Sequence, residues 1–174
     1  MEQKRIEKVN YYLDIAEAVG ARGTCLRANY GSVIVNRDEV ISTGYTGAAR
    51  GKSNCIDLGY CIRRKLEPNS SGGARFDLCR SVHSEQNAII SAARKDMLES
   101  SLYIVGKYYN SEKYNKGMEG QYVKTPDCCQ FCKRMIINAG IEKVYFRVSK
   151  EEYRVTNVQD WIESDELLEG NIRL

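Results

Sequence analysis

The sequence has little histidine, no long apolar run and few clustered basic residues. Its one histidine is His83, so any metal site or base that requires an imidazole must use this residue. No apolar segment approaches membrane-spanning length, and the charged residues 1–7 lack the apolar core of a signal peptide. The net charge of +3 arises from 26 basic and 23 acidic residues, and the longest basic run is Arg63-Arg64-Lys65. We therefore expect a protein without a membrane segment or a broad nucleic-acid surface.

Cysteine, in contrast, is abundant, with seven among 174 residues. An odd number of cysteines in a chain without a signal peptide favours reduced thiols in a cytoplasmic protein. Metal binding then becomes the favoured use of several of them. The length is typical of one domain, which we assign to residues 1–174 because neither a repeat nor a low-complexity linker divides the chain.

Alternating helices and strands predict an α/β domain. Apolar residues recur at helical spacing over residues 3–19, and two strands at 30–35 and 40–44 flank a polar turn of hairpin length. The other predicted elements are a helix at 82–97, a strand at 102–105, a helix at 129–139, a strand at 144–148 and a short docking helix around Trp161. Residues 46–80 show little periodicity, and an irregular stretch of that length requires something to hold it in place.

Two short motifs supply the ligands of a metal site. His83 stands two residues before Glu85, and Cys129 and Cys132 follow farther along the chain. One imidazole and two thiolates leave one corner of a tetrahedral zinc open to water, which is typical of a catalytic zinc. We predict that Ser81 caps the helix at 82–97, with His83 and Glu85 in the first turn of that helix. The two cysteines are predicted to share one face at the start of the helix at 129–139. Helix N-termini favour thiolates and bound anions.

Each motif also has a simpler explanation. A lone Cys-x-x-Cys can be a redox pair or half of a structural zinc site, and a lone histidine is more often structural than catalytic. Cys128 offers a competing ligand pair with Cys132. We favour Cys129 because spacing of i and i+3 at a helix start is the usual chelating geometry. The joint occurrence of His-x-Glu and Cys-x-x-Cys, each at a predicted helix start and separated by a strand, favours the zinc site.

The chain resembles the deoxycytidylate (dCMP) deaminases of the cytidine deaminase superfamily. The likeness lies in residues 31–35, 41–47 and 54–55 and in the two active-site segments, 79–89 and 132–141. The superfamily signature is H-x-E followed by P-C-x-x-C, and here Cys128 replaces the proline. The resemblance implies a three-layer α/β/α sandwich with a mixed five-stranded sheet. It also implies hydrolysis of dCMP to dUMP and ammonia, with zinc activating water and Glu85 as the proton shuttle.

Partners and substrate contacts follow from the same resemblance. It implies a homo-oligomer, often a hexamer, with dCTP and dTTP as effectors and Mg²⁺ accompanying the triphosphate. We expect some of Arg27, Asn29 and Arg50, near the hairpin, to read a substrate phosphate, with arginine favoured for its bidentate geometry. Ser84 stands where the family usually has Ala, and its backbone is expected to contact the substrate. Thr46 stands where relatives use an Asn side chain on the substrate sugar, and its shorter side chain leaves the exact nucleoside or nucleotide open.

Residues 107–122 are rich in Tyr, Lys and Gly. They make the connection between the strand at 102–105 and the helix at 129–139 longer than a simple loop or hairpin would need to be. They are either an insertion at an oligomer or effector surface or an exposed hairpin.

The four remaining cysteines predict a second, structural zinc. Cys25, Cys55, Cys61 and Cys79 lie in or beside the irregular stretch, and four thiolates complete a closed site. Some relatives hold a structural zinc with ligands that match Cys25 and Cys55, whereas Cys61 and Cys79 are assigned by proximity. Free thiols packed as small apolar side chains are the alternative.

Three classes of function remain open. A deaminase of a free nucleotide is favoured, and a deaminase of another cytosine or guanine nucleoside or base would use the same site. An RNA-editing deaminase would need a basic, aromatic-lined groove for a flipped base, which the nearly balanced charge argues against. A non-catalytic zinc-binding regulator would lack the proton shuttle, whereas this chain has Glu85.

Overall fold

The computed structural model describes residues 5–66, 78–109, 114, 116–124 and 127–164. Along the chain the elements are α1 (Lys8–Gly20), β1 (Ala28–Asn36), β2 (Glu39–Tyr45), β3 (Gly47–Ala48), α2 (Cys55–Leu58), α3 (Ile62–Leu66), β4 (Ser81–Val82), α4 (Ser84–Ile90), α5 (Arg94–Met97), β5 (Ser101–Tyr108), α6 (Gln130–Ala139), β6 (Lys143–Arg147), β7 (Tyr153–Asn157) and α7 (Val158–Glu163). In the part of the chain that is described, no helix is long and apolar enough to cross a membrane.

Five strands form one sheet in the order β2-β1-β5-β6-β7. Strands β5 and β6 are parallel, while the other neighbours in this sheet are antiparallel. The sheet is therefore mixed. Strands β3 and β4 pair separately, with Gly47 opposite Val82 and Ala48 opposite Ser81.

Helices cover both faces of the sheet. Strand side chains alternate between faces, so Leu102 of β5 points into one core and Tyr103 into the other. Helix α1 supplies Leu13 and Ala16 to the second core, whereas α4, α6 and α7 contribute to the first. The predicted three-layer α/β/α sandwich with a mixed five-stranded sheet is confirmed.

Close backbone contact fixes α4 against the sheet. A Cβ atom at Gly44 of β2 would overlap the carbonyl oxygen of Ser84 and the amide nitrogen of Ala88. Only glycine allows this approach without displacing the helix. Because Glu85 lies in the first turn of α4, this contact also sets the depth of that carboxylate beside the sheet.

Several predicted elements need correction. The prediction that Ser81 caps a helix is wrong, because Ser81 and Val82 pair with β3 and His83 is the N-cap of α4. The helix predicted over 82–97 is two helices, with a break between Ile90 and Arg94. The predicted start of the first helix at residue 3 lies outside the described residues, and α1 itself begins at Lys8.

The stretch predicted to be irregular, residues 46–80, contains the short elements β3, α2 and α3, and its residues 67–77 lie outside the described part. Within the predicted insertion 107–122, residues 110–113 and 115 also lie outside the described part of the chain. The two ends of this insertion pair with each other, since Lys107 bridges Tyr122 and the amide of Tyr108 donates to the carbonyl of Gln121. This pairing favours the hairpin alternative.

Candidate active site

The N-termini of α4 and α6 meet at one point. His83 is the N-cap of α4 and Cys129 is the N-cap of α6, and both have extended backbone angles that turn the chain into its helix. Cys132 lies in the first turn of α6 and is completely buried. The starts of two helices therefore lie at the same site, and the positive ends of their dipoles favour negative charge there.

The three side chains form a compact donor set. The Nδ1 atom of His83 lies 3.5 Å from the Sγ atom of Cys129 and 3.4 Å from that of Cys132. All three ligand atoms lie within 4.8 Å of one another. Nitrogen and sulfur ligands at tetrahedral zinc, with bonds of about 2.0–2.3 Å, are about 3.5 Å apart. The residues present therefore fit zinc, and His83 would bind it through Nδ1.

The protonation of the two thiols is linked. A hydrogen bond from the Cys132 thiol lowers the pKa of Cys129 to about 4. Burial acts in the opposite direction, whereas the hydrogen bond and the charge of His83 lower this pKa further. The same hydrogen bond, together with burial, raises the pKa of Cys132 far above its usual range. Burial alone would lower the pKa of His83, but the hydrogen bond with Cys129 and the charge of Glu85 raise it overall. Metal binding must therefore displace protons from this site, so metal affinity falls as the pH falls.

Glu85 lies beside this donor set and borders the same cavity. Its side chain is almost buried, at 6% exposure, and its Oε2 atom accepts a hydrogen bond of 2.9 Å from the Ser84 hydroxyl. Cys128 also hydrogen-bonds to the Glu85 carboxylate; burial and this carboxylate raise the pKa of Cys128 well above its usual value, so it acts as a thiol donor. Cys128 lies outside the group of donor atoms that His83, Cys129 and Cys132 form, and this placement favours Cys129 as the metal ligand.

A cavity of about 290 Å³ opens in front of Glu85 and His83. Of the predicted substrate contacts, Arg27 and Thr46 line it. Thr46 is 6% exposed, and its hydroxyl accepts a hydrogen bond of 3.2 Å from the backbone amide of Tyr30. The cavity is thus bordered by a positive side chain and by a threonine whose hydroxyl is already engaged.

The other predicted contacts lie elsewhere. Asn29 alternates with Ala28 and Tyr30 on β1 and borders a second cavity beside Lys107. Its Oδ1 atom accepts a hydrogen bond of 2.9 Å from the amide of Cys25. Arg50 is exposed in the turn after β3. Ser84 is fully buried and contacts Glu85.

The cavity residues that the sequence did not predict include two aromatic and two basic side chains: Tyr30, Tyr108, Arg63 and Arg80. Burial and the Glu85 carboxylate raise the pKa of Tyr30, which remains a neutral phenol. Arg63 is 6% exposed, and the Nε atom of Arg80 lacks a hydrogen-bond partner within the described part of the chain. Ala28 and Tyr30 lie on the same face of β1 and both line the cavity, so strand alternation was a signal for Tyr30. The two arginines follow predicted metal-binding cysteines by one or two residues, which was a signal for them.

The four remaining cysteines, Cys25, Cys55, Cys61 and Cys79, line this same cavity as free thiols. Among the residues that the structure describes, the group close enough to share a metal ion is that of His83, Cys129 and Cys132, and the four thiols do not form such a group. The sulfur of Cys25 accepts a hydrogen bond of 3.4 Å from the backbone amide of Arg27. Burial raises the pKa of both Cys25 and Cys55, which favours the neutral thiol over the thiolate at these two residues.

Comparison with known proteins agrees with this geometry. The model of the cytidine and deoxycytidylate deaminase zinc-binding region matches residues 6–148. The deoxycytidylate deaminase of Mycobacterium phage D29 is 31% identical over 142 residues, which cover 78% of this chain and 91% of the phage protein. The deoxycytidylate deaminase of Saccharomyces cerevisiae is 26% identical over 150 residues, which cover 84% of this chain but 40% of the longer yeast protein.

Solved structures show the same fold. The dCMP deaminase from cyanophage S-TIM5 in complex with dCMP and dUMP matches with a TM-score of 0.52 at 22% identity, over 83% of this chain and 84% of that chain. A cytidine deaminase from Burkholderia pseudomallei matches with a TM-score of 0.54 at 15% identity, over 89% of this chain and 95% of that chain. Since the matched region spans most of the chain and includes His83, Glu85, Cys129 and Cys132, the chain belongs to the cytidine and deoxycytidylate deaminase zinc-binding family.

Proposed function

We propose that this protein is a zinc-dependent deoxycytidylate deaminase that hydrolyses dCMP to dUMP and ammonia. The observation that carries this proposal is the donor set of His83, Cys129 and Cys132 beside the buried carboxylate of Glu85, at the mouth of a cavity. The family and the similarity to a phage deoxycytidylate deaminase along 91% of that protein support the substrate. The cavity of about 290 Å³ is near the lower end of small-molecule sites, which begin at about 300 Å³.

The chain's own residues supply the proton chemistry. Bound zinc would act as a Lewis acid that lowers the pKa of water towards neutrality. Glu85 accepts a proton from the attacking water, passes it to N3 of cytosine, and later delivers a proton to the amine that leaves C4. The water oxygen becomes bonded to C4 as the C4–N bond breaks, so dCMP and water yield dUMP and ammonia. Tyr30 and Tyr108 provide aromatic walls that limit access of bulk water to the reacting base.

The Thr46 contact gives a second candidate substrate class. Because the Thr46 hydroxyl is engaged with the Tyr30 backbone, it has little capacity left for a substrate sugar. A deaminase of another cytosine or guanine nucleoside or base would fit the same catalytic residues. Ammonia release from a panel of such compounds, with dCMP among them, decides between the two. The deoxycytidylate proposal fails if another compound is clearly preferred.

Recognition of the substrate phosphate gives a first prediction. Arg27 lines the cavity and can hold a phosphate with charge-assisted hydrogen bonds, which are worth about 1.5–3 kcal/mol each. Arg27→Ala should therefore lower kcat/KM for dCMP by about 10- to 100-fold while changing that for deoxycytidine by much less. The matched control is Arg50→Ala, since Arg50 is exposed outside the cavity. If wild-type protein deaminates deoxycytidine as efficiently as dCMP, phosphate recognition is wrong.

We also propose that Cys25, Cys55, Cys61 and Cys79 hold a second, structural zinc. These thiols line one cavity, and the amide of Arg27 already donates to the sulfur of Cys25, which is a contact that stabilises thiolate charge. Three of the cysteines are followed, one or two residues later, by an arginine that lines the same cavity: Arg27, Arg63 and Arg80. They would offset the negative charge of four thiolates around one zinc.

Metal counting tests the second zinc. Wild-type protein should contain two zinc ions per chain, and a Cys55→Ser, Cys61→Ser protein should contain one and unfold at a lower temperature, because a structural zinc contributes folding free energy. Cys128→Ser serves as the control and should retain both ions, since Cys128 packs in the core. A fully active preparation with a single zinc per chain would exclude the second site.

We further propose the quaternary and regulatory properties that the family resemblance implies. These are a homo-oligomer of hexamer type and control by dCTP and dTTP with Mg²⁺. From the length and the cysteine content of the chain we also propose one domain over residues 1–174 and a cytoplasmic location. Exposed apolar side chains on the outer helices support contact with a second copy, with Ile90 71%, Phe131 51% and Ile162 53% exposed. The free state of all seven cysteines agrees with a reducing compartment.

A further inference from the structure

We propose that Ser84 and Ser32 are positioning residues that hold the Glu85 carboxylate in the orientation needed for proton transfer. They would form a buried hydroxyl relay from strand β1 of the sheet to the active site. This inference rests on the proposed function and deepens it, since it assigns a role to two residues that lie behind Glu85 and away from the substrate.

The relay is defined by two short hydrogen bonds. The Ser32 hydroxyl donates to the Ser84 hydroxyl at 2.7 Å, and the Ser84 hydroxyl donates to Oε2 of Glu85 at 2.9 Å. Each hydroxyl has one proton, and the Ser84 hydroxyl directs its proton at Oε2 of Glu85. Ser84 must therefore give its proton to Glu85, which leaves Ser84 to accept from Ser32. The direction of the relay follows from this count.

The base of the relay is fixed in the sheet. Ser32 lies on β1 and is paired with Gly44 of β2 on one side and with Ile104 of β5 on the other. Both serines are completely buried, so water cannot substitute for either hydroxyl. Loss of a buried partner therefore leaves an uncompensated polar group instead of a solvated one.

The relay restrains one side of the carboxylate. Oε2 of Glu85 is held by Ser84 from the core side, and the Cys128 thiol contacts the same carboxylate. Since Glu85 also lines the cavity, these donors fix its rotation so that an oxygen faces the substrate. General acid–base catalysis depends on this distance and alignment.

The chain offers a matched control for the effect of removing a buried hydroxyl. Ser42 of β2 is 8% exposed, and its hydroxyl donates to the carbonyl of Ala88 at 2.8 Å. It therefore also ties α4 to the sheet, but its contact is with the helix backbone. Ser42→Ala should lower the unfolding temperature and leave kcat unchanged.

The test uses zinc-loaded protein with Ser84→Ala, Ser32→Ala, both substitutions together, and Ser42→Ala. Measurements are kcat and KM for dCMP, the affinity for dUMP, the zinc content and the unfolding temperature. Ser84→Ala should lower kcat by about 10-fold at normal zinc content, with KM and dUMP affinity nearly unchanged. Ser32→Ala should lower kcat by a smaller factor. The double variant should be no slower than Ser84→Ala, because Ser32 acts through Ser84.

Three results would overturn the relay: a normal kcat in zinc-loaded Ser84→Ala protein, effects of Ser32 and Ser84 that multiply in the double variant, or a loss of kcat that matches a loss of zinc. Failure of the relay is separable from failure of the proposed function. If Glu85→Gln is inactive while Ser84→Ala is normal, the relay alone is wrong. If Glu85→Gln stays active, the assignment of Glu85 as the base is wrong as well, whereas the proposed function fails only if wild-type protein does not deaminate dCMP.

Discussion

Glu85→Gln protein should keep its zinc and lose at least about 10²- to 10⁴-fold of its turnover of dCMP, which is the usual contribution of general acid–base catalysis. Glutamine has nearly the same shape, and its amide oxygen can still accept the hydrogen bond that Ser84 gives to Oε2. Glu85 also lies outside the donor set of His83 and the two cysteines, so metal binding should be preserved. An amide cannot take up and release a proton at neutral pH, and proton transfer to N3 and to the leaving amine is therefore lost.

Steady-state rates on samples of known zinc content measure this loss. Glu39→Gln is the control, since Glu39 is an exposed carboxylate at the start of β2. Near-wild-type turnover by a fully zinc-loaded Glu85→Gln protein would contradict the assignment of the base.

Cys129→Ser protein should lose the catalytic zinc, and with it the activity, whereas Cys128→Ser protein should keep the zinc. The sulfur of Cys129 lies 3.5 Å from Nδ1 of His83, within the donor set. Cys128, the next residue along the chain, contacts Glu85 and packs in the core. Loss of a residue that merely orients a ligand costs about 10- to 100-fold in metal affinity, so loss of a ligand itself should cost more.

Zinc affinity measured by competition with a chelator compares these adjacent substitutions directly. Cys132→Ser is the positive control, because Cys132 belongs to both possible ligand pairs. If Cys128→Ser loses zinc and Cys129→Ser retains it, the ligand pair is Cys128 and Cys132, and the competing assignment from the sequence is correct.

Local signals in the sequence predict most of the fold. The hairpin of β1 and β2, the buried strand β5 and the helix α6 each bury an apolar face, and their spacing is visible in the sequence. Strand β7 was not predicted because it is a five-residue strand at the edge of the sheet with four of its residues exposed, so its short alternation of Tyr153 and Val155 with polar residues is a weak signal. The start of α4 was misplaced because Ser81 is a good helix cap by residue type, while its actual pairing is with Ala48 of β3. That contact is non-local and leaves no local signal.

The candidate site divides in the same way. Motif spacing places His83, Glu85 and the two cysteines together, since each motif opens a helix. Which side chains line the cavity depends instead on the face of the strand that each one occupies and on the course of the loops. Asn29 therefore lies away from the cavity, on the opposite face of β1. The hydroxyl of Ser32 supports the site from 52 positions earlier in the chain than Ser84, and pattern analysis cannot predict a contact over that separation.

The most direct measurement is deamination of dCMP by purified, zinc-analysed protein in water enriched with heavy oxygen. We expect one ammonia for each dCMP consumed and one heavy oxygen in each dUMP, at the carbon that carried the amine, because the water oxygen replaces the amino group. Glu85→Gln protein serves as the blank. Absence of dUMP above this blank, or dUMP without the heavy oxygen, would contradict the proposed function.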